Sequence, residues 1–273
     1  MLVLATTNLE MDILPALYDT LCERGDTGRL DVVFYCRGGI VSAARRIALL
    51  LHEFSSHICF IVPFYCESSG TIAALAGHEI IAGPAASFSP VDPHLNSAQE
   101  QSSEGSGAIS AENVRLFADM CRDWFGMPEP EAQTQSLSVM CANVFPTTLT
   151  AFYRSMLETR DICSELLARS MRDRPEEIRS RIVDRLLFGY HSHIFSLSHH
   201  DLSALGLPVR RDARIERIAW EMVHELRQSV GAGVRRSEED DWVGTIIATR
   251  ATTRRQRYRP GSFTPQWDVG ETE

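Results

Sequence analysis

The chain has 273 residues, of which 44% are hydrophobic, and a formal net charge of −9. A chain of this length can bury a large core, and its negative charge argues against nucleic-acid binding, which depends on basic surfaces. No stretch approaches the roughly 20 apolar residues that span a bilayer, and the N-terminus lacks the basic start of a signal peptide. We therefore expect a cytoplasmic protein with no membrane span and no nucleic-acid partner.

Two residue counts bear on chemistry. The seven cysteines are scattered without a CxxC pair, a pattern typical of reduced thiols rather than of a disulfide framework or a zinc site. All 27 basic residues are arginine, because the sequence contains no lysine. Whatever the reason for this absence, no lysine is present to serve as a general base or to form a Schiff base.

The first 96 residues are predicted to alternate between strands and helices. Strands are expected at 1–7, 30–39, 57–65 and 78–84, and helices at 11–25, 40–54 and 68–77. Continuous apolar strands joined by helices predict an α/β core of largely parallel strands that is covered on both faces. Ligands of such sheets bind beyond the carboxyl ends of the strands, and both Gly38-Gly39 and Ser68-Ser69 fall at such ends.

The remainder of the sequence is predicted to be mostly helical. A flexible loop rich in glycine and serine is expected at 97–110, and a helical region that packs on the core at 111–230. The expected helices are 111–125, 136–157, 159–172, 175–187 and 213–229, with a long loop over 188–209. Residues 231–273 are expected to form a terminal strand or hairpin followed by a loose tail.

The two strand ends together suggest a nucleophile site. A serine that follows a strand and begins a helix exposes its hydroxyl, and the next amide can donate to an oxyanion. A glycine pair lets the backbone approach a ligand and turns further amides toward it. Taken singly, Ser68-Ser69 also fits an ordinary helix start, and Gly38-Gly39 an ordinary turn. The G-x-S-x-G elbow of α/β-hydrolases is absent, since Tyr65-Cys66 stands in place of its first glycine.

Three stretches resemble the serine dehydrogenase proteinase family, a branch of the Clp-protease/crotonase superfamily. They cover residues 30–54, 60–84 and 87–96, and weaker similarity extends the resemblance over most of 1–210. The family's Y-x-R-G-G strand end, S-A-G-T nucleophile turn, D-E-I-V strand and S-P-I-D-P segment appear here as Tyr35–Gly39, Ser68–Thr71, His78–Ile81 and Ser89–Pro93. The resemblance implies a Clp/crotonase-like core followed by a helical C-terminal region. It also implies a serine peptidase that acts on proteins or peptides through an acyl-enzyme, and a homo-oligomer.

The resemblance also assigns roles around the serine pair. Ser68 takes the place of the nucleophile, and the amide of Ser69 helps to hold the oxyanion together with Gly38 and Gly39. One departure is Glu67, a carboxylate directly before the serine, where a small or uncharged residue is more usual.

The base that activates the serine is expected to be a histidine, because a serine needs a proton acceptor and lysine is absent. His193 matches the family's S-H position and is the first candidate, with His94 as the alternative. Asp92 is the expected partner that orients the histidine, although an aspartate before proline also commonly forms a turn. Arg37 is interpreted as a structural residue.

Two other kinds of site were considered. Four histidines lie between residues 191 and 200, but the carboxylate or cysteine spacing typical of zinc is missing, so no metal is expected. No cofactor is expected either, since no G-x-G-x-x-G fingerprint follows the first strand. The alternative functions are a catalytically degenerate scaffold or binding module and, through the Glu67 carboxylate, a crotonase-type acyl-CoA enzyme.

The absence of lysine suggests one further hypothesis. Arginine keeps the positive charge of lysine but lacks the amine that accepts ubiquitin-like conjugation or acylation. The protein is therefore also predicted to work beside a lysine-modifying or conjugating pathway. A proteome with generally low lysine content would explain the absence instead.

Overall fold

The computed structural model describes residues 1–91, 111–231, 235, 237–262 and 264–272, with the backbone alone for 111–113. The strands are β1 Leu2–Thr6, β2 Thr27–Cys36, β3 Ser55–Val62, β4 Tyr65–Cys66, β5 Glu79–Ala82, β6 Ser87–Phe88, β7 Val209–Arg210, β8 Trp242–Ala248, β9 Thr252–Tyr258 and β10 Gln266–Glu271. The helices are α1 Ile13–Arg24, α2 Val41–Glu53, α3 Ser69–Ala74, α4 Ala111–Asp123, α5 Glu129–Asn143, α6 Pro146–Ser170, α7 Glu176–Phe188, α8 His199–Leu205 and α9 Ala213–Ser229.

One mixed sheet organises these elements. Strands β1, β2, β3, β5 and β7 run parallel, and β8, β9 and β10 continue the sheet antiparallel from the edge of β1. The short strands β4 and β6 lie outside this main strand order. Strand β4 pairs with the last residue of β2, and β6 pairs with β4. The predicted α/β fold with a helical C-terminal region is confirmed.

The parallel strands are buried on both faces, which explains their continuous apolar sequence. Leu2 and Leu4 of β1 belong to the larger core cluster, which also contains residues of α1, α2, α3, α6 and α7. Val3 and Ala5 point to the opposite face. There a smaller cluster includes Ala219 and Leu226 of α9 and Val230, the residue that follows this helix. The helical region therefore covers the sheet that carries the candidate site.

The largest difference between predicted and observed helix boundaries falls between residues 136 and 172. We expected one helix over 136–157 and another over 159–172, whereas α5 ends at Asn143 and α6 runs unbroken from Pro146 to Ser170. Proline is favoured in the first turn of a helix because its nitrogen carries no hydrogen to be satisfied there, so Pro146 starts α6. Thr159 does not interrupt the helix, because its hydroxyl donates to the Ser155 carbonyl (2.9 Å) within the same helix.

Three short elements occur where the prediction had a loop and a tail. Helix α8 lies within the predicted loop 188–209, β7 begins at the last residue of that loop, and β10 lies in the predicted tail. A capping box starts α8, since the Ser198 side chain accepts from the Asp201 amide while the Asp201 carboxylate accepts from the Ser198 amide. This S-x-x-D pattern is a sequence signal for a helix start. Among the described helices, none combines the length and apolar character needed to cross a membrane.

Candidate active site

Ser68 lies at a strained turn between β4 and α3. Its backbone torsions are φ 53° and ψ −120°, and among the described residues it is the only non-glycine residue with positive φ. Such conformations cost free energy and concentrate at functional sites. The turn places the half-exposed serine at the N-terminus of α3.

Hydrogen bonds from β6 and the residue after it hold the turn in place. The amide of Ser68 donates to Oγ of Ser89 (2.6 Å), and the Ser89 amide donates to Oγ1 of Thr71 (3.2 Å). The Thr71 hydroxyl in turn donates to the carbonyl of Cys66 (2.7 Å). The buried Ser89 and Thr71 therefore connect both ends of the nucleophile turn.

The glycine pair packs directly against this serine. Gly38 and Gly39 have φ of +129° and +133°, a region that favours glycine. A Cβ on Gly38 would lie 3.2 Å from Cβ of Ser68, and one on Gly39 would lie 2.2 Å from the amide nitrogen of Leu9. The hydroxyl of buried Ser69 donates to the Gly39 carbonyl and so joins the start of α3 to the glycine turn.

Two backbone amides near Ser68 are available as donors. The Gly38 amide is directed to Sγ of Cys36 (3.3 Å). Within the described part of the chain, neither the Gly39 amide nor the Ser69 amide has a hydrogen-bond acceptor. Backbone amides without an internal acceptor beside a serine hydroxyl are the kind of donor that binds an oxyanion.

The cysteines beside the turn are not nucleophiles. Cys36 and Cys66 are aligned partners in β2 and β4. Burial raises the pKa of the Cys36 thiol to about 12 and raises that of Cys66 well above its usual value. Because the thiolate is the reactive form, these shifts disfavour both thiols as nucleophiles and leave the Ser68 hydroxyl as the candidate nucleophile of this turn.

The Glu67 carboxylate belongs to a hydrogen-bonded chain with Ser87 and Ser196. Oε1 of Glu67 accepts from the Ser87 hydroxyl (2.8 Å), and Oγ of Ser87 lies 3.0 Å from Oγ of Ser196. Since a serine has one hydroxyl proton and Ser87 gives its proton to Glu67, Ser196 is the donor in the second bond. The carboxylate that departs from the family pattern therefore reaches the segment that follows His193.

The loop that carries His193 is paired with the same short strand that supports Ser68. Phe88 and Leu197 exchange two backbone hydrogen bonds, with N···O distances of 2.9 and 2.7 Å. His193, half-buried, lies four residues before Leu197. Strand β6 thus has the nucleophile turn on one side and the end of the histidine loop on the other.

The structure describes only some of the residues predicted for the site. Ser68, Ser69, Gly38 and Gly39 lie together at the ends of β2 and β4. Asp92 and His94 lie outside the described residues. Within those that are described, no group of three or more His, Cys, Asp or Glu side chains is arranged to hold a metal ion.

Sequence reasoning missed the serines that support the turn. Ser87, Ser89 and Ser196 make the contacts that join β4, β6 and the histidine loop. Ser87 and Ser89 alternate in the sequence "SFS" before the proline-rich segment, so they point to the same side of an extended chain. That alternation was the available signal, whereas nothing local marked Ser196.

Comparison with known proteins supports this description of the first part of the chain. Residues 16–103 match the profile of the ClpP-like SDH-type serine proteinase family. The matched stretch contains both the glycine pair and Ser68, and the resemblance predicted from the sequence is confirmed there.

Two curated relatives and two solved structures are also similar. The uncharacterized proteins MJ1495 and MJ0137 of Methanocaldococcus jannaschii are 38% and 41% identical to this chain over 66 residues. Each match covers 24% of this chain and 23% of the relative, so it spans less than a quarter of the relatives' length. Two structures of the 1510-N membrane-bound stomatin-specific protease, each of a point mutant and one with a substrate peptide, match 76% of this chain at 15% identity. Their TM-scores are 0.45 and 0.44, and 77% and 73% of their own chains are covered.

Proposed function

We propose that this protein is a serine peptidase that cleaves proteins or peptides through an acyl-enzyme, with Ser68 as the nucleophile. The observation that carries the proposal is the strained conformation of Ser68 together with the available amides of Gly39 and Ser69. The family match over 16–103 supports the same class of reaction. Exposed Ile40 and Ile194, which border the glycine turn and His193, offer apolar contacts for a peptide.

The reaction follows from these groups. The Oγ of Ser68 attacks the scissile carbonyl carbon and gives its proton to His193, and the carbonyl oxygen becomes an oxyanion between the Gly39 and Ser69 amides. The C–N bond then breaks as His193 returns the proton to the leaving amine. Water, deprotonated by the same histidine, then attacks the acyl carbon. The bond to Ser68 Oγ breaks as the histidine returns the proton to Oγ, which releases the acid and restores the serine. Asp92 orients the histidine in this proposal, and His94 is the alternative base.

The glycine turn refines the predicted oxyanion hole. Gly39 supplies the donating amide, because the Gly38 amide already points to Cys36 Sγ. Gly38 instead provides space beside Ser68, where a Cβ would come within 3.6 Å of Oγ. The acyl-CoA alternative relied on a free Glu67 carboxylate, which here accepts a hydrogen bond from Ser87.

A fluorophosphonate probe tests the proposal, because it reacts covalently with activated serines. We expect labelling of the wild-type chain and loss of labelling in Ser68→Ala, with Ser69→Ala still labelled. A casein or peptide library should be cleaved by the wild type and not by Ser68→Ala. Labelling that persists in Ser68→Ala would contradict the nucleophile, and an unlabelled, inactive wild-type chain would favour the degenerate scaffold.

A further inference from the structure

Arg37 occupies an unusual position next to the glycine turn. It follows the last residue of β2 and precedes Gly38, and its guanidinium carbon lies 4.2 Å from the centroid of the Tyr65 ring. Tyr65 is the first residue of β4 and lies three residues before Ser68, and its ring also contacts Tyr35, with centroids 5.9 Å apart. The charged group is therefore held on an aromatic wall at the edge of the candidate active site.

Arg37 has no acidic partner among the residues that the structure describes. The Nε atom of Arg37 is buried without a hydrogen bond. Among the described residues no carboxylate lies within 4.0 Å of Arg37, whereas Arg29, Arg45 and Arg254 each form an ion pair with a carboxylate. Neither terminal nitrogen of Arg37 is among the fully buried polar atoms that lack a partner, so these nitrogens retain some contact with solvent.

This arrangement suits recognition of a carboxylate. A guanidinium that lies over a ring keeps its N–H groups in the plane of the fork, where they match the two oxygens of a carboxylate. The ring limits the conformations of the long side chain, so less entropy is lost when a ligand binds. Asp31, the nearest carboxylate along the chain, is paired with Arg29, and Glu67, which precedes Ser68, accepts a hydrogen bond from Ser87.

We propose that Arg37, supported by Tyr65, forms a subsite that binds a carboxylate of the peptide substrate close to the scissile bond. The subsite rests on the proposed peptidase function. Gly39 lies two positions after Arg37, and two residues span at most about 7 Å. An extended peptide advances about 3.4 Å per residue, so the carboxylate belongs to an Asp or Glu side chain, or to a free C-terminus, within a few residues of the cleaved bond.

The test compares peptides that differ only in one carboxylate. A cleavable peptide receives Asp or its uncharged isostere Asn at each position near the scissile bond, and each version is made with a free or an amidated C-terminus. We expect the wild type to prefer one carboxylate version by about tenfold in kcat/KM, the scale of a charge-assisted hydrogen bond. The preference should appear mainly in KM and should decrease with salt. The position that shows it separates a side-chain carboxylate from a C-terminal one.

Variants then assign the preference to Arg37. In Arg37→Gln the ratio between the carboxylate and amide peptides should fall to about one, and Arg37→Lys should retain part of it. Arg227→Gln is the matched control, because Arg227 lies over the neighbouring Phe64 ring (5.7 Å), and it should keep the wild-type ratio. If Arg37 only supports Tyr65, Arg37→Gln should lower kcat/KM equally for both peptides and leave their ratio unchanged. That result would overturn the subsite.

Binding measurements separate this inference from the proposed chemistry. The same peptides are titrated calorimetrically into Ser68→Ala and into Ser68→Ala combined with Arg37→Gln. A carboxylate preference of about tenfold in Kd that disappears with Arg37 supports the subsite even when the wild type neither cleaves peptides nor reacts with fluorophosphonate. Equal binding of the carboxylate and amide peptides overturns the subsite even when peptidase activity is found.

Discussion

The nucleophile half and the histidine half of the candidate site are built in different ways. The nucleophile half consists of residues 36–39 and 66–71, and direct hydrogen bonds join it, such as Ser69 to Gly39 and Thr71 to Cys66. Its glycines and small buried side chains leave little room for change. The backbone itself sets the positions of Ser68 and of the candidate oxyanion donors in this half.

The histidine half depends on distant contacts instead. His193 lies in a segment whose neighbours Ile194 and Phe195 are 89% and 48% exposed. The recorded bonds from this segment to the nucleophile side pass through Leu197 and Ser196, and the Ser87–Ser196 pair is separated by 109 residues. A change in the nucleophile half should therefore affect stability and activity together, whereas a change in the histidine half should affect activity alone.

The largest effect is expected for Gly39→Ala. The new Cβ would come within 2.2 Å of backbone atoms of Leu9 at a φ of +133°, so the turn has to move. We expect the free energy of unfolding to fall by about 3 kcal/mol and fluorophosphonate labelling of Ser68 to disappear. Urea denaturation and labelling measure the two effects. Gly28→Ala is the control, since its Cβ would meet nothing within 4 Å, and equal stability of the two variants would contradict the prediction.

The strain at Ser68 predicts opposite effects of glycine at two adjacent positions. Ser68→Gly should be more stable than Ser68→Ala by about 1 kcal/mol, because alanine keeps the Cβ at φ 53° and glycine does not. Ser69 is the first residue of α3, where glycine is less favourable than alanine, so Ser69→Gly should be less stable than Ser69→Ala. Thermal unfolding of the four variants measures both differences. The same sign at both positions would show that no strain is stored at Ser68.

The histidine half is tested by removing one hydroxyl. Ser196→Ala deletes the bond to Ser87 and with it the side-chain connection to Glu67. We expect peptidase activity to fall about tenfold, with a change in the free energy of unfolding of less than about 0.5 kcal/mol because the residue is exposed. Ser192→Ala, an exposed serine of the same segment, should leave activity unchanged. A loss of stability comparable to that of Gly39→Ala would remove the distinction between the two halves.

The same contrast explains how far the sequence could be interpreted. Apolar strands, a glycine pair and the S-S-G turn are local patterns, so β1, β2, β3 and the position of Ser68 were predictable. The pairing of Phe88 with Leu197 was not, because two short segments far apart in the chain carry no periodicity that links them. Strand β10, which adds to the β8–β9 hairpin, was missed for a related reason. Its residues are mostly exposed and contain no apolar run.

The interpretation of Arg37 shows a second limit. The sequence interpretation made it structural, as a residue that holds carboxylates or the glycine turn in place. Only the three-dimensional arrangement reveals that its neighbour is the Tyr65 ring and that no carboxylate of the described residues pairs with it. Charge partners are set by tertiary packing, so a sequence pattern can name the charged residue but not its counterion.

The smallest effect concerns the pH dependence of stability. This dependence must be known before a loss of activity in acid can be assigned to the histidine half and not to unfolding. His52, His57 and His78 cluster at the amino ends of β3 and β5, with the His57 and His78 rings stacked at 5.0 Å. His52 Nε2 lies 3.0 Å from the Ala76 carbonyl and His78 Nδ1 accepts from the Ile58 amide. Burial, the neighbouring histidines and the nearby arginines 169 and 172 lower the pKa of His52 and His78 below the ordinary value of 6.5.

The sign of the effect follows from proton binding. Below about pH 6.5 the unfolded chain binds protons at these histidines that the folded chain does not, so stability is complete above this pH and is lost as the pH falls. His52→Gln removes one such group while its amide can still donate to the Ala76 carbonyl, so the decrease in unfolding free energy between pH 7 and 5 should become shallower. The exposed His224→Gln is the control and should keep the wild-type slope. If His52→Gln leaves the slope unchanged, this cluster does not set acid stability. If it flattens the slope while labelling of Ser68 still falls with pH, the loss of labelling arises at the active site and not from unfolding of the sheet.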